Sequence, residues 1–428
     1  MTADPFAAVE GLAYDTKFPD LIPVRQHIAA PAVADVEAST RAALAGIGDV
    51  EGKRVCVTAG SRGIADLATI LRTAVAELRS RGASPFVVPA MGSHGGATAE
   101  GQQEILSGLG VTEDSVGAPI ESGMDTVVID RLDGGPEVHV DARAAAADAI
   151  LLVNRIKPHT TFRGEVESGL AKIAAIGLGK QHGAEAIHLH GPVQLGTWIP
   201  AAYRALAATG KVLGGVAILE NAHHQVAKVA FVSADGIGAA GEAALLAEAF
   251  ELLPRLPFDE LDVLVVDEFG KDKSGAGMDP NVLGRMGIPG IAELPTPRIT
   301  NVTVHHLTEA SHGNGIGVGL ADLVPLRVVR QLDLRSTYVN SLTAGLSGLR
   351  RARLPVVLPT DRDVIASAIR ACGVADPAAV RLVRVRDTLD LETMLVSTSL
   401  RAELDANPAL TVLGEPSPMT FTPDGDLA

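Results

Sequence analysis

At 428 residues, 47% of them apolar and 20% charged, the chain is long enough for two domains and rich enough in core-forming side chains to exclude disorder. A net charge of −15 and an aromatic content of 3% argue against a nucleic-acid surface, which needs a basic field and stacking platforms. No apolar run reaches membrane-spanning length, and the opening MTADPFAAVEG has neither the basic nor the apolar region of a signal peptide, so a cytoplasmic protein without a membrane partner is expected.

Residues 1–50 read as an acidic lead-in ending in a helix over 36–44, with Asp35 placed to cap it. RVCVT (54–58) alternates as a strand, AGSRG (59–63) turns, and residues 65–81 place Leu67, Ile70, Leu71, Val75 and Leu78 on one helical face. PFVVP (85–89) is the next strand, which makes a βαβ unit and implies a parallel sheet. MGSHGGAT (91–98) leads into a helix over 99–107 that stops at Gly108. A short hairpin, 126–129 with 137–140, turns at DGG (133–135), and 149–153 is a buried strand. Two strands (212–219 and 228–233) and an Ala-rich helix (236–253) follow.

PRLPF (254–258) cannot continue that helix and marks the boundary between a first domain, 1–254, and a second, 255–428. The second domain opens with a strand at 261–266, a Gly-rich loop at 270–290, a strand at 299–305 and a helix near 336–346. Strand–helix pairs are expected at 355–358 with 361–372 and at 380–385 with 391–404. The fold class is therefore α/β, two α/β domains with largely parallel sheets and an active-site cleft between them. Cys56 and Cys372, far apart in strand-like and helix-end contexts, read as reduced packing residues.

Polar, titratable residues concentrate in 154–190, just past the buried strand, where α/β sheets bind ligands. This stretch holds four of the twelve histidines and three of the nine lysines. Upstream, His94 sits in Gly92-Ser93-His94-Gly95-Gly96 between a strand and a helix. Glycines there let a ligand approach the backbone, and a helix N-terminus favours an anion. His159 follows Pro158 just beyond a strand end. Lys172, in the small apolar run 168–176, is either a partly desolvated amine nucleophile or a helix lysine whose head reaches solvent. His182, His188 and His190 are candidate metal ligands, although His188 and His190, two apart, would not face one way on a helix. Arg62, in the turn after the first strand, is placed to hold a carboxylate or phosphate. KDKSGAGMDPN (271–281) and HGNGIGVG (312–319) are Gly-rich but match neither the P-loop nor the dinucleotide fingerprint. His305, His306 and His312 either face a cleft or end a strand and cap a turn.

Four of these pieces, in this order and spacing, resemble the nickel-pincer lactate racemase family: Gly92-Ser93-His94, Pro158-His159, Ser168-Gly169-Leu170-Ala171-Lys172, and His188 sixteen residues beyond that lysine. The match covers about residues 60–190. The resemblance implies a nickel pincer nucleotide, a pyridinium ring with two sulfur donors, tethered to Lys172 and ligated through nickel by His188. It further implies that Arg62, Gly92, Ser93, Gly95 and Gly169 line the cofactor and that His94 and His159 are the acid/base pair. The activity implied is racemisation or epimerisation of a 2-hydroxy acid or sugar acid by hydride abstraction and return through a 2-keto intermediate, with cofactor-biosynthesis proteins as partners. The sequence departs from the pattern in three places. The His159–Lys172 interval is three residues longer, adding Glu165 and Glu167; Ala59-Gly60-Ser61-Arg62 lacks the family's Asp; and Asp279 and Asn281 align without the expected Gln and Lys. The substrate is therefore not expected to be lactate. Two other readings use the same residues: a divalent-metal hydrolase built on His94, His159 and His188, and a non-enzymatic anion-binding protein built on the Gly-rich loops.

Overall fold

A computed structural model describes residues 9, 11–12, 14–61 and 63–428. The chain forms two compact units, one of Ala29–Leu253 and one that joins Met1–Ile28 to Pro254–Ala428. The described residues 14–28, grouped with the first domain on sequence, thus belong with the second unit. The reason lies in β1 (Leu21–Gln26), whose Leu21, Ile22 and Val24 are buried. It pairs with strands near the other end of the chain, with Ile22 opposite Val396 and Val24 opposite Val412.

The unit 29–253 begins with the helix Val36–Leu44, whose Asp35 carboxylate accepts from the Ala38 N–H at 2.9 Å, as its sequence predicts. Its strands are β2 (Arg54–Ala59), β3 (Ser84–Pro89), the hairpin β4 (Thr126–Arg131) and β5 (Glu137–Asp141), then β6 (Ala149–Arg155), β7 (Val212–Glu220) and β8 (Val226–Ser233). The five-stranded sheet runs β3-β2-β6-β7-β8, parallel except for β8. Strands covered on both faces should be apolar throughout, and Val55–Val57 and Ile150–Val153 are fully buried. The helix Leu67–Ser80 sets Ile70, Leu71, Ala74, Val75 and Leu78 against this core. From β2 the chain steps to β3 on one side and returns to β6 on the other, so strand order reverses at β2/β6. The crevice at the carboxyl ends of such strands is where this architecture places a ligand.

The other unit carries β9 (Glu260–Phe269), β10 (Arg298–Leu307), β11 (Leu323–Pro325), β12 (Val356–Leu358), β13 (Leu382–Val385), β14 (Thr393–Ser397) and β15 (Leu410–Val412). They form one eight-stranded sheet with β1, in the order β12-β11-β10-β9-β13-β14-β1-β15. The five strands from β12 to β13 are parallel and the last three pair antiparallel. The helix expected over 391–404 is instead β14 followed by a short helix, Arg401–Ala406. Met394 and Val396 alternate into the core beside β13, and sheet pairing overrides the helical spacing of the leucines. The helix expected near 336–346 is two helices, Leu334–Thr343 and Gly345–Arg351. Among the described residues, no helix is long and apolar enough to cross a membrane.

Candidate active site

The loops that follow β2, β3 and β6 leave three neighbouring strands at their carboxyl ends, and they carry Ser61, His94 and His159. Ser61 Oγ lies 2.5 Å from His94 Nδ1, which ties the first two loops together. Asn154, at the end of β6, donates its amide to the Gly169 carbonyl at 2.7 Å, and a Cβ on Gly60 would stand 3.5 Å from its Oδ1. One asparagine thus lies against both the loop after β2 and the turn that precedes Lys172. Arg62 lies outside the described residues. Nearby, the Ala65 N–H donates to Glu220 at 2.9 Å, and Glu220 is paired with Arg155.

Gly92, Gly95 and Gly96 all take positive φ, so the tight course of the His94 loop depends on glycine. The Gly92 N–H donates to the Gly177 carbonyl at 3.1 Å, and a Cβ on Gly95 would come within 2.5 Å of the Gly101 backbone. Ser93 and His94 are left exposed. The helix Ala99–Gly108 begins on Thr98, whose hydroxyl accepts from the Gly101 N–H at 3.0 Å, so a side-chain cap already occupies part of the helix N-terminus expected to attract an anion. Beneath the loop, buried Gln102 donates to the carbonyls of Gly92 (3.0 Å) and His94 (3.3 Å). Lys180, fully buried, donates to Gln102 Oε1 at 3.0 Å and to the Pro89 carbonyl, and pairs with buried Asp141 at 3.3 Å. Sequence reasoning missed Asp141, Lys180 and Gln102, since such residues ordinarily read as surface.

Lys172 ends the short helix Leu170–Lys172 and leads into a π-helical turn, Ile173–Gly177, and then the helix Lys180–His188. Glu242 accepts from the Ala171 and Gly238 amides at 3.1 and 2.9 Å, fixing the start of this run. Burial pushes its carboxyl above the ordinary range, and the N–H donors oppose that rise. A Cβ on Gly169 would meet Glu242 Oε1 at 2.0 Å, so this glycine makes room for the carboxylate. Lys172 is half-buried and close enough to His188 for its charge to act on the ring. His188 retains open surface, yet protein atoms crowd its ring. Desolvation first, with the Lys172 charge assisting, holds its pKa below the usual 6.5, against the pull of the Ala184 carbonyl. Nδ1 lies 2.6 Å from that carbonyl oxygen. A carbonyl only accepts, so Nδ1 carries the proton and Nε2 of the neutral ring keeps its lone pair.

His159 is held in the opposite sense. Its Nδ1 accepts from the Thr161 N–H at 3.0 Å, so the neutral ring carries its proton on Nε2. The ring packs on Phe162 with centroids 4.5 Å apart. Its own amide donates to Glu167 at 2.5 Å, and Arg163 reaches the same carboxylate oxygen at 3.2 Å. Burial raises the Glu167 carboxyl while Arg163 lowers it. Part of the longer His159–Lys172 interval is therefore a buried brace for the histidine loop.

The remaining candidates have partners of their own. His182 stacks on His139 (5.8 Å), and His190 lies beside Trp198 (5.5 Å). Among the described residues, no three of His, Cys, Asp and Glu converge as a metal-binding group. In the other unit, His305 is buried on Asp361 at 2.8 Å and His306 meets Gln331 at 2.9 Å. Asp279 Oδ1 accepts from both the backbone and the side-chain amide of Asn281 at 2.9 Å, capping its own turn. Gly277 and Gly317 let the two Gly-rich loops touch, since a Cβ on either would come within 2.3 Å of the other loop's backbone. Cys56 and Cys372 are free thiols, the first buried and pushed far up in pKa by desolvation.

No protein-family model matches the chain, and no curated protein matches it. Among solved structures, it is similar to the lactate racemase apoprotein of Thermoanaerobacterium thermosaccharolyticum, at 11% identity and a TM-score of 0.44, over 67% of this chain and 74% of that one. It is also similar to a Thermotoga maritima protein solved by a structural genomics consortium, at 15% identity and a TM-score of 0.46, over 76% and 82% of the two chains. Both are distant likenesses of shape.

Proposed function

We propose that this protein is a racemase or epimerase of a 2-hydroxy acid or sugar acid that works with a nickel pincer nucleotide. The observation that carries this reading is the pairing of Lys172 with a histidine whose ring is already set for a metal. Histidine ligands commonly donate their second ring N–H to a backbone carbonyl, which fixes the tautomer and leaves the other nitrogen to coordinate. His188 has that arrangement through Ala184, and its depressed pKa keeps the ligating form neutral. A single protein ligand beside a tethering amine suits a metal whose other donors come from an organic cofactor. The hydrolase alternative needs three converging donors, and none occur among the described residues. The anion-binding alternative also draws on the Gly-rich loops of the other unit, whose Gly277 and Gly317 are taken up by close backbone packing.

In this reading Lys172 is the tether, His188 the nickel ligand, and Gly92, Ser93 and Gly95 the backbone against which the nucleotide lies. When bound, the cofactor supplies a reversible hydride acceptor, so that the substrate passes through its 2-keto acid. The chain's own residues manage the proton. His94 and His159, on loops from β3 and β6, exchange the hydroxyl proton, one imidazole for each enantiomer. With Nδ1 engaged by Thr161, neutral His159 presents Nε2–H as a hydrogen-bond donor to the substrate's C2 oxygen, and it delivers a proton there only from the imidazolium, which forms when Nδ1 takes a proton in place of the Thr161 bond. His94 faces Ser61, whose hydroxyl can either give or accept a hydrogen bond, a contact compatible with the ring acting as the base. Proteins that build and deliver the cofactor are the partners this requires.

The test is expression together with a nickel-pincer biosynthetic pathway, followed by nickel analysis and intact mass. Equimolar nickel and an adduct on Lys172, lost in Lys172→Ala, is the expected result. A wild-type protein that takes up neither nickel nor adduct, or a Lys172→Ala variant that keeps both, overturns the assignment.

A further inference from the structure

The helices Leu334–Thr343 and Gly345–Arg351 are built inside out. A helix on a globular surface normally turns its apolar stripe inward and its polar face to water. Here the inward positions are Thr337, Ser341, Ser347 and Gly348, all buried. Thr337 Oγ1 accepts from the Gly315 N–H at 2.9 Å, Ser347 donates to the Ala344 carbonyl at 3.0 Å, and a Cβ on Gly348 would come within 2.2 Å of the Ser341 carbonyl. The outward positions are Leu334, Tyr338, Val339, Leu342, Leu346 and Leu349, between 37% and 69% exposed. Leu354 and Val356 continue the patch to β12, the edge strand of the eight-stranded sheet.

We propose that this face is the interface of a homodimer, packed against the same face of a second copy. Area is the first reason. The exposed surface of these eight side chains is on the order of 700 Å², close to the roughly 800 Å² that each partner buries in a stable interface. This exceeds what a soluble monomer ordinarily leaves in one apolar patch. Composition is the second. Large aliphatics around one tyrosine form the centre, and Arg330, Arg335 and Arg353 are exposed in the same stretch, the combination enriched at interface cores and their surrounds. The third is self-complementarity. Leu334, Tyr338 and Leu342 recur every four residues, a row that can interdigitate with its own copy across a two-fold axis. An anionic membrane is the less favoured occupant, because the chain as a whole carries −15.

Sedimentation equilibrium on the full chain at micromolar concentration tests this independently of any catalytic reading. The expected result is a dimer, with Leu342→Glu and Tyr338→Ala each raising its dissociation constant on the order of 30-fold or more. Both side chains are exposed, so circular dichroism and the melting temperature of each variant, measured as monomer, should match those of the dissociated wild type. A monomeric wild type overturns the proposal, whether it stays free or co-sediments with phosphatidylserine vesicles. So does a dimer that neither substitution weakens.

Discussion

Lys180 shows how one buried residue can set the site without touching a substrate. It occupies a left-handed conformation (φ 51°) at the start of the helix that ends in His188, and it reaches the Gln102 that holds the His94 loop. Removing its charge takes from buried Asp141 its closest cation and leaves Arg143 at 3.5 Å as the remaining partner, so Lys180→Met should cost up to about 3–5 kcal/mol in urea unfolding. Adding Asp141→Asn should recover part of that loss, and a Lys180→Met variant as stable as wild type would rule out the ion-pair account. The two histidine tautomers give a second residue-scale prediction. In the protein without cofactor, above the histidine pKa range, 15N ring shifts should report His188 protonated on Nδ1 and His159 on Nε2. The same tautomer on both rings would contradict the opposed roles of ligand and donor.

At the scale of elements, local signals were strong where a stretch carries its own punctuation. Asp35 before 36–44, the alternation of RVCVT and the period of 65–81 all become the expected elements because caps and amphipathic faces are local. The stretch 391–404 defeats the same logic. Thr393–Ser397 becomes a strand because β13 and β1 offer partners on both sides, which no local pattern records. The inside-out pair of helices is a related case, since its spacing is helical but the direction of its apolar face is set by what lies on either side. Gly348 is the contact point, so Gly348→Val should wedge the pair apart and lower stability by about 1–3 kcal/mol. Thermal denaturation against Gly345→Ala, where a Cβ meets nothing although φ is +61°, separates the wedge from backbone strain. Equal losses in both would remove the close-packing explanation.

Over the whole molecule, buried carboxylates make stability depend on pH. Glu167 and Glu242 both have native pKa values raised above 4.5 by desolvation. Between 4.5 and those raised values the native state holds protons that the unfolded chain has released, so stability falls as pH rises across that window. Glu242→Gln keeps an acceptor for the Ala171 and Gly238 amides without the charge. Its denaturant midpoint should fall less steeply than that of wild type as pH is raised from 4.5, and an unchanged slope would exclude Glu242 as a contributor.

Sequence by itself determined the α/β class and the order of most strands, and it singled out His94, His159, Lys172 and His188 as candidates. These follow from short-range rules, because apolar period, caps and glycine turns act over a few residues. Only the tertiary structure decided the rest. It moved Leu21–Gln26 into the eight-stranded sheet, reversed the strand order at β2/β6, and drove Lys180, Asp141 and Glu242 inside. Each of these depends on a partner tens or hundreds of residues away, or on the desolvation that packing imposes, and neither leaves a mark in the local text of the chain.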